Sequence, residues 1–316
     1  NSIIYMLMKP FQKSFLLITV LISAIITTSC QPKTKTESEQ KNNYNTGDSM
    51  KVVTENPAIT EFRTFVNTLD SADANSALLA TDKYKSMFTG KSQGLCDTAF
   101  VIFHNLMDTL LISQNEKILI DTADYQSFIN GKKVSRKISD YYNSLLKKGF
   151  MVKQTDGTLY IDLNYDFIFV NFLPFVSEPM NLYLTEMKLE NIEGFAQGDT
   201  INILPEKHVE RVIWYENFIA KYPNFVMIEN CKNYRKAYFT YLLNGYNNTT
   251  LYTNAETNEL SPYFTKAYEF LITQYPNSET TAQTQPYYQA IQQKQMSTVN
   301  DILKKYVIQG LIYSLK

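Results

Sequence analysis

The chain has 316 residues, 44% of them hydrophobic, and 30 basic against 31 acidic side chains for a net charge of −1. That length accommodates one or two domains with a full core. A balance this close to neutrality excludes the polybasic surfaces of nucleic-acid binders and of proteins held to membranes by charge. Aromatic residues make up 14%, with 23 tyrosines; composition leaves open whether they pack helices or form a binding surface for glycan or protein.

Lys9 and Lys13 precede an apolar run over residues 15–26, followed by Thr27, Thr28, Ser29 and Cys30. A positive start, a short apolar core and small residues before a cleavage point make residues 1–29 a secretory signal. The run is shorter than the roughly 20 residues of a spanning helix. Its ending, Thr-Thr-Ser-Cys, resembles the relaxed lipobox of Bacteroidota-type bacterial lipoproteins. The resemblance implies cleavage before Cys30, diacylglycerol on its sulfur and acylation of the new amine, hence lipid anchoring at the bacterial outer membrane, on a periplasmic or surface face. An ordinary cleaved signal with a chance cysteine is the alternative. Residues 30–56 are polar and aperiodic, and read as a disordered tether.

Residues 57–176 read as an N-terminal helical region. Asn56 before Pro57 is a helix start, and Ile59, Phe62, Phe65, Val66 and Leu69 line one face behind it. Residues 76–88 and 97–112 are further helices, the second with Phe100, Phe103, Met107 and Leu110 as its stripe. Residues 118–120 read as a short strand, and 133–148 as a helix stopped by Gly149. A β-hairpin then spans 150–170 around Asp156-Gly157. In its second arm Ile161, Leu163, Tyr165, Phe167 and Phe169 alternate with Asp162, Asn164 and Asp166, which predicts one buried face and one wet one.

Residues 177–316 read as a helical-hairpin region. A helix is expected over 177–189, then a loop over 194–205. Residues 215–224 read YENFIAKYPN, and 53 positions later residues 268–277 read YEFLITQYPN. Tyr234 and Tyr287, then Ala237 and Ala290, continue the match. Self-similarity at a fixed period marks stacked supersecondary units. In each copy a helix ends at the proline, because the residue before proline is pushed out of the α region; a second helix follows, capped in the first copy by Gly245. Ser261 and Pro262 start the second copy. These hairpins, with Tyr222-Pro223-Asn224 and Tyr275-Pro276-Asn277-Ser278, resemble the tetratricopeptide-like hairpins of bacterial envelope lipoproteins, at a period longer than the usual ~34 residues. The extra length is a polar loop over 244–258. Residues 296–315 read as a buried or capping helix.

No motif for chemistry completes itself. His104 and His208 stand outside any zinc-binding spacing and read as packing or helix-surface residues. Asp162, Asn164 and Asp166 begin like a calcium loop, but Phe167 stands where that loop needs glycine. Ser144 and Lys147 lack companion motifs, and Gly90-Lys91-Ser92 lacks the upstream glycine of a phosphate loop. Cys96 lies near a predicted helix start, where a thiolate is favoured; alternatively Cys96 and Cys231 pair as a disulfide. Asp121 with Asp124, and Glu190 with Glu193, read as solvated carboxylates of helix ends and loops. The most distinctive exposed stretch is the loop at Tyr246, Asn247, Asn248 and Tyr252, either a linker between copies or a contact loop.

The sequence therefore predicts a mainly α protein, an irregular superhelix of tetratricopeptide-like helical hairpins with one inserted β-hairpin. No catalytic residue, metal ligand, cofactor or nucleic-acid partner is expected. The expected function is protein binding or scaffolding in the envelope, through the membrane anchor at Cys30 and another envelope protein. A glycan-binding lipoprotein partnering an outer-membrane transporter is the alternative, with an envelope hydrolase third.

Overall fold

The computed structural model describes residues 55–119, 121–254 and 256–314, so Cys30, the expected signal and nearly all of the expected tether lie outside the described residues. Twelve helices carry most of those residues, with four small two-stranded sheets between them. The first three helices, α1 (Pro57–Asn67), α2 (Asn75–Phe88) and α3 (Gln93–Asn115), pack on one another. Asn56 starts α1 as its spacing predicts, its side chain accepting the Ala58 N–H at 2.9 Å with Pro57 in the first turn. α3 is long and apolar enough to cross a membrane by composition. Its Phe100, Phe103, Met107 and Leu110 are instead buried in the protein core.

Two short helices follow, α4 (Thr122–Ile129) and α5 (Arg136–Lys147). α4 was hidden in a stretch without strong periodicity; it is started by Asp121, whose carboxylate accepts the Asp124 N–H at 2.8 Å. The expected strand before it is absent at residues 118 and 119, which have irregular backbone, while residue 120 lies outside the described residues.

Strands β1 (Phe150–Thr155) and β2 (Thr158–Leu163) pair antiparallel from Thr155↔Thr158 to Phe150↔Leu163. Asp156 and Gly157 both have positive φ, 46° and 75°, as a tight two-residue turn requires. The second arm ends at Leu163, not at residue 170. Asn164 accepts the Asp166 N–H at 3.1 Å and starts helix α6 (Tyr165–Phe172), so the alternation of Tyr165, Phe167 and Phe169 runs on in a helix. A cap is a local competitor to a strand ladder, and here it wins. The predicted wet face is also corrected: Asp162 is 2% exposed, paired with Lys153 at 3.0 Å and accepting from Asn191 at 2.8 Å. The outer edge of β2 is held by Asn115 at the end of α3. Its side-chain amide accepts the Ile161 N–H at 2.8 Å and donates to the Ile161 carbonyl at 2.9 Å.

From α6 onward helix pairs are separated by small hairpins. α7 (Glu178–Glu193) follows α6, started by Ser177, which is itself clasped by buried Asp97 of α3 through its N–H at 2.9 Å and hydroxyl at 2.5 Å. β3 (Ala196–Gln197) and β4 (Thr200–Ile201) form a small hairpin where a plain loop was expected. α8 (Pro205–Lys221) and α9 (Ile228–Asn244) form the next pair, then β5 (Gly245–Tyr246) with β6 (Thr249–Thr250), and β7 (Tyr252–Asn254) with β8 (Glu259–Leu260). α10 (Pro262–Gln274) and α11 (Glu279–Gln292) form the last pair, and α12 (Met296–Ile308) closes the described chain. α8 and α10 end at Tyr222 and Tyr275 with nearly the same cap dihedrals, φ −126° and −127°. Gly245 needs its freedom twice over: φ is 78°, and a Cβ there would stand 2.6 Å from the Thr249 carbonyl. One continuous core runs from Ile59 to Ile312.

Candidate functional site

The loop at Tyr246, Asn247, Asn248 and Tyr252 contains a turn docked on its neighbours. Asn247, at φ 41°, donates from its side chain to the Asp199 carboxylate at 2.8 Å, and the Asn248 N–H reaches the Asp199 carbonyl at 2.9 Å. The Thr249 hydroxyl accepts the Ile201 N–H at 2.8 Å. The β3–β4 turn in turn touches the β1–β2 turn: Gly198 donates to the Thr155 hydroxyl at 3.1 Å and lies so close to Asp156 that a Cβ would be 1.6 Å from its carboxylate. Three turns are thus chained along one edge. Tyr246 is half-buried, its ring 4.9 Å from Tyr241 and 6.0 Å from Phe195, and Tyr252 is half-buried in the next sheet. The asparagines remain exposed, but their polar groups are spent largely on holding the edge together.

The carboxylates Glu190 and Glu193, expected to be solvated, are on α7. Glu186, Glu190 and Glu193 recur at helical spacing, so they share a side of the helix, and that side packs on α8 and α9. Glu190 is 1% exposed, not a solvated carboxylate. Its Oε2 accepts the Tyr238 hydroxyl at 2.7 Å, and the Arg211 guanidinium donates to the same hydroxyl oxygen at 3.3 Å. Arg211, itself 2% exposed, also donates to Glu193 at 3.0 Å and to the Gly194 carbonyl at 2.7 Å. Next to it His208 is fully buried, with Nε2 2.9 Å from the Tyr238 carbonyl and Nδ1 3.3 Å from the Tyr263 hydroxyl. A carbonyl only accepts, so Nε2 carries the proton and Nδ1 is left to accept from Tyr263.

Electrostatics follow from burial. Loss of hydration pushes the Glu190 carboxyl above its ordinary range against the downward pull of Arg211 and Tyr238. Half-buried Glu186 is pushed up to about 7, by lost hydration first and by the Glu190 charge second. Burial takes His208 down to about 4, so the ring is neutral at ordinary pH. Arg211 Nε has no partner at hydrogen-bond geometry, and the Tyr215 hydroxyl adds to the downward pull on the Glu190 carboxyl. Chemically this is a clasp: one guanidinium and one phenol bind two carboxylates from the preceding unit, and removing either partner would strand a charge in the interior. Among the described residues no group of three or more His, Cys, Asp or Glu side chains is placed to hold a metal.

Other residues singled out by sequence lie elsewhere. His104 is buried in α3, 3.4 Å from Asp108. Cys96 and Cys231 are both free and buried, and burial raises both thiols, Cys231 to about 12, so neither is a poised thiolate. Trp214 is half-buried, stacked on Phe218 with centroids 4.9 Å apart.

The apolar side of α7 is packed in the core, the clasp carboxylates run along its flank, and the face opposite the core side is open. Met180, Tyr183, Leu184 and Met187 are buried beside Glu190, while Leu182, Leu189 and Ile192 are 40%, 49% and 70% exposed on the other side. An α-helix apolar on both sides is ordinarily buried on both. Leu182, Thr185, Leu189 and Ile192 alternate by three and four as in a helix-pairing seam, apolar at three of the four positions. No family model, curated protein or solved structure matches the chain.

Proposed function

We propose that the chain is a bacterial envelope lipoprotein, anchored through acylated Cys30 at the outer membrane, whose helical body acts by binding another envelope protein. In this reading the helix pairs α6–α7, α8–α9 and α10–α11 form an irregular superhelix of tetratricopeptide-like hairpins, with β1–β2 as an insertion. The observation that supports it is the outer face of α7. Three large aliphatic side chains stand in solvent on a helix pinned along its flank by a buried polar clasp. Covering each would gain about 1 kcal/mol, enough together to support association but not to demand it. Glycan capture is the second reading; its ring candidates Tyr246 and Tyr252 are half-buried in the hairpin edge.

Chemical crosslinking in intact envelopes followed by recovery of the chain, beside a Cys30→Ala control, tests the proposal. One reproducible membrane-associated partner, lost in the control, is the expected result. Recovery of the anchored chain without any protein partner would overturn it.

A further inference from the structure

Resting on the protein-binding reading, we propose that the outer face of α7 receives an amphipathic helix of the partner protein, whose apolar seam lies on Leu182, Leu189 and Ile192 and whose flank carries lysine or arginine toward Glu186 and Glu193.

The molecule itself shows what covers such a face. α7 and α9 end alike, at Gly194 (φ 71°, ψ −175°) and Gly245 (φ 78°, ψ −176°), each followed by a small hairpin. With these glycines matched, Met180 aligns with Cys231, Tyr183 with Tyr234, Met187 with Tyr238 and Glu190 with Tyr241, and all eight are buried. The inner faces of the two helices are therefore equivalent. In the same match Leu189 falls on Thr240 and Ile192 on Leu243, both 0% exposed. Their side of α9 is occupied by α11, by α12 and by the segment that follows α12, while Asn233, which matches Leu182, is exposed. Tyr306 of α12 lies 6.3 Å from Phe239, the Tyr313 N–H after α12 donates to the Thr240 hydroxyl at 2.9 Å, and Tyr287 of α11 donates to the Leu243 carbonyl at 2.6 Å. On α9 two helices, α11 and α12, take part in the cover, together with the turn after α12; on α7 the positions of Leu189 and Ile192 are open.

The charge of the flank follows from the clasp. Glu186, Glu190 and Glu193 of α7, with Glu210 of α8, face Arg211 and Lys207 of α8, the latter 2.9 Å from Glu210. Four carboxylates meet two cations. Glu193 is 37% exposed at its side chain and Glu186 is half-buried, so both are within reach of a partner. The opposite edge is already balanced, Lys188 pairing with Asp166 at 2.6 Å and lying 4.7 Å over the Phe169 ring. An arriving cation on the Glu186 side pairs with exposed Glu193 and favours the ionised form of Glu186.

The test uses the folded chain and two synthetic amphipathic peptides of about 20 residues, long enough to form a helix on binding. They share one Leu/Ile seam and carry either lysine or glutamate on the flank. Labelled-peptide anisotropy is the readout, with emission of Trp214, the sole tryptophan, as a second. The lysine peptide is expected to bind at least about tenfold tighter than the glutamate peptide at low salt, the gap closing as salt screens it. Leu189→Asp with Ile192→Asp should abolish binding while leaving the helical circular dichroism unchanged, and Glu186→Gln should shrink the gap. No binding of either peptide, equal binding of both, or binding indifferent to the double substitution would overturn the inference. So would dimerisation of the chain, or capture of lipid vesicles, that the double substitution removes. If the crosslinked envelope partner persists with the double variant, this inference fails while protein binding stands. If the unaltered chain recovers no partner, the protein-binding reading itself fails.

Discussion

The two copies of the repeat share the end of their first helix and their buried tyrosines, yet bury different chemistry. Tyr215 and Tyr268, then Tyr234 and Tyr287, are all 0% exposed at matching positions. Where the first copy has Arg211 the second has Phe264, and where the first has Tyr238 the second has Ile291. The second copy folds with apolar residues at both places, so the hairpin pattern does not require a polar centre. The clasp exists in the first copy because α7 precedes it and delivers Glu190 and Glu193. A matching contrast lies on the outer side. Glu216 of α8 accepts the backbone N–H groups of Glu279 and Thr280 at 2.9 and 2.8 Å, capping the start of α11, with Arg235 3.5 Å away. In the second copy Glu269 and Tyr288 take the places of Glu216 and Arg235 at a distance of 3.5 Å, and Glu269 is exposed. The repeat supplies a scaffold, and neighbours decide which positions carry charge.

Several substitutions would break or sharpen this contrast. The largest effect is expected for Arg211→Ala, which leaves Glu190 buried without its counter-charge and should lower unfolding free energy by about 3–5 kcal/mol. Replacing the clasp as a set, with Arg211→Phe, Tyr238→Ile and Glu190→Leu, should cost much less, because the second copy packs apolar residues at two of those positions; chemical denaturation compares the two variants. A loss as large in the triple variant as in the single one would show that packing, not charge, holds the centre. Next, Glu216→Ala removes a helix cap and should cost about 1–2 kcal/mol, whereas Glu269→Ala at the matching exposed position should stay within about 0.5 kcal/mol.

The pH dependence gives a smaller effect. Glu186 has its folded value raised to about 7, against an ordinary value of 4.5. Between those values the native state holds more protons than the unfolded chain, so native stability rises as pH falls through 7 and declines as pH rises. His208 works in the opposite sense: its folded value of about 4 lies below the ordinary 6.5, so its contribution is lost as pH falls through that window. The two separate above pH 6.5. Melting temperature should therefore rise from about pH 8 to about pH 6.5, and Glu186→Gln should flatten that rise; an unchanged slope in the variant would exclude Glu186 as its source. The smallest expected effect is on thiol chemistry. Cys96 and Cys231 should resist alkylation in the native protein and react only as denaturant opens the core, because both are buried with raised thiols.

Local signals in the sequence identified much of the helical plan. The Asn56-Pro57 start, the Tyr-Pro stops of α8 and α10, and Gly245 after α9 are decided by a few neighbouring residues, and the structure places each accordingly. The end of β2 is not legible, because alternation continues through Tyr165, Phe167 and Phe169 while the deciding event is one Asn164 side chain turning to cap α6. The clasp was invisible for another reason. Glu190 and Glu193 look like any solvated pair until Arg211 and Tyr238 arrive from helices far along the chain. Tyr246, Asn247, Asn248 and Tyr252 were legible as an unusual loop, but not their attachment to Asp199, which depends on a second turn meeting the first.

Asn115 has a bearing on how the chain behaves when crowded. A lone two-stranded ladder leaves an outer row of backbone donors and acceptors able to recruit a strand from another molecule, the first step of edge-to-edge aggregation. By binding both the N–H and the carbonyl of Ile161, the Asn115 amide imitates one rung of a third strand and ends the sheet there. A single side chain at the end of α3 thus acts as a stopper on sheet growth, and Asn115→Leu would unplug it.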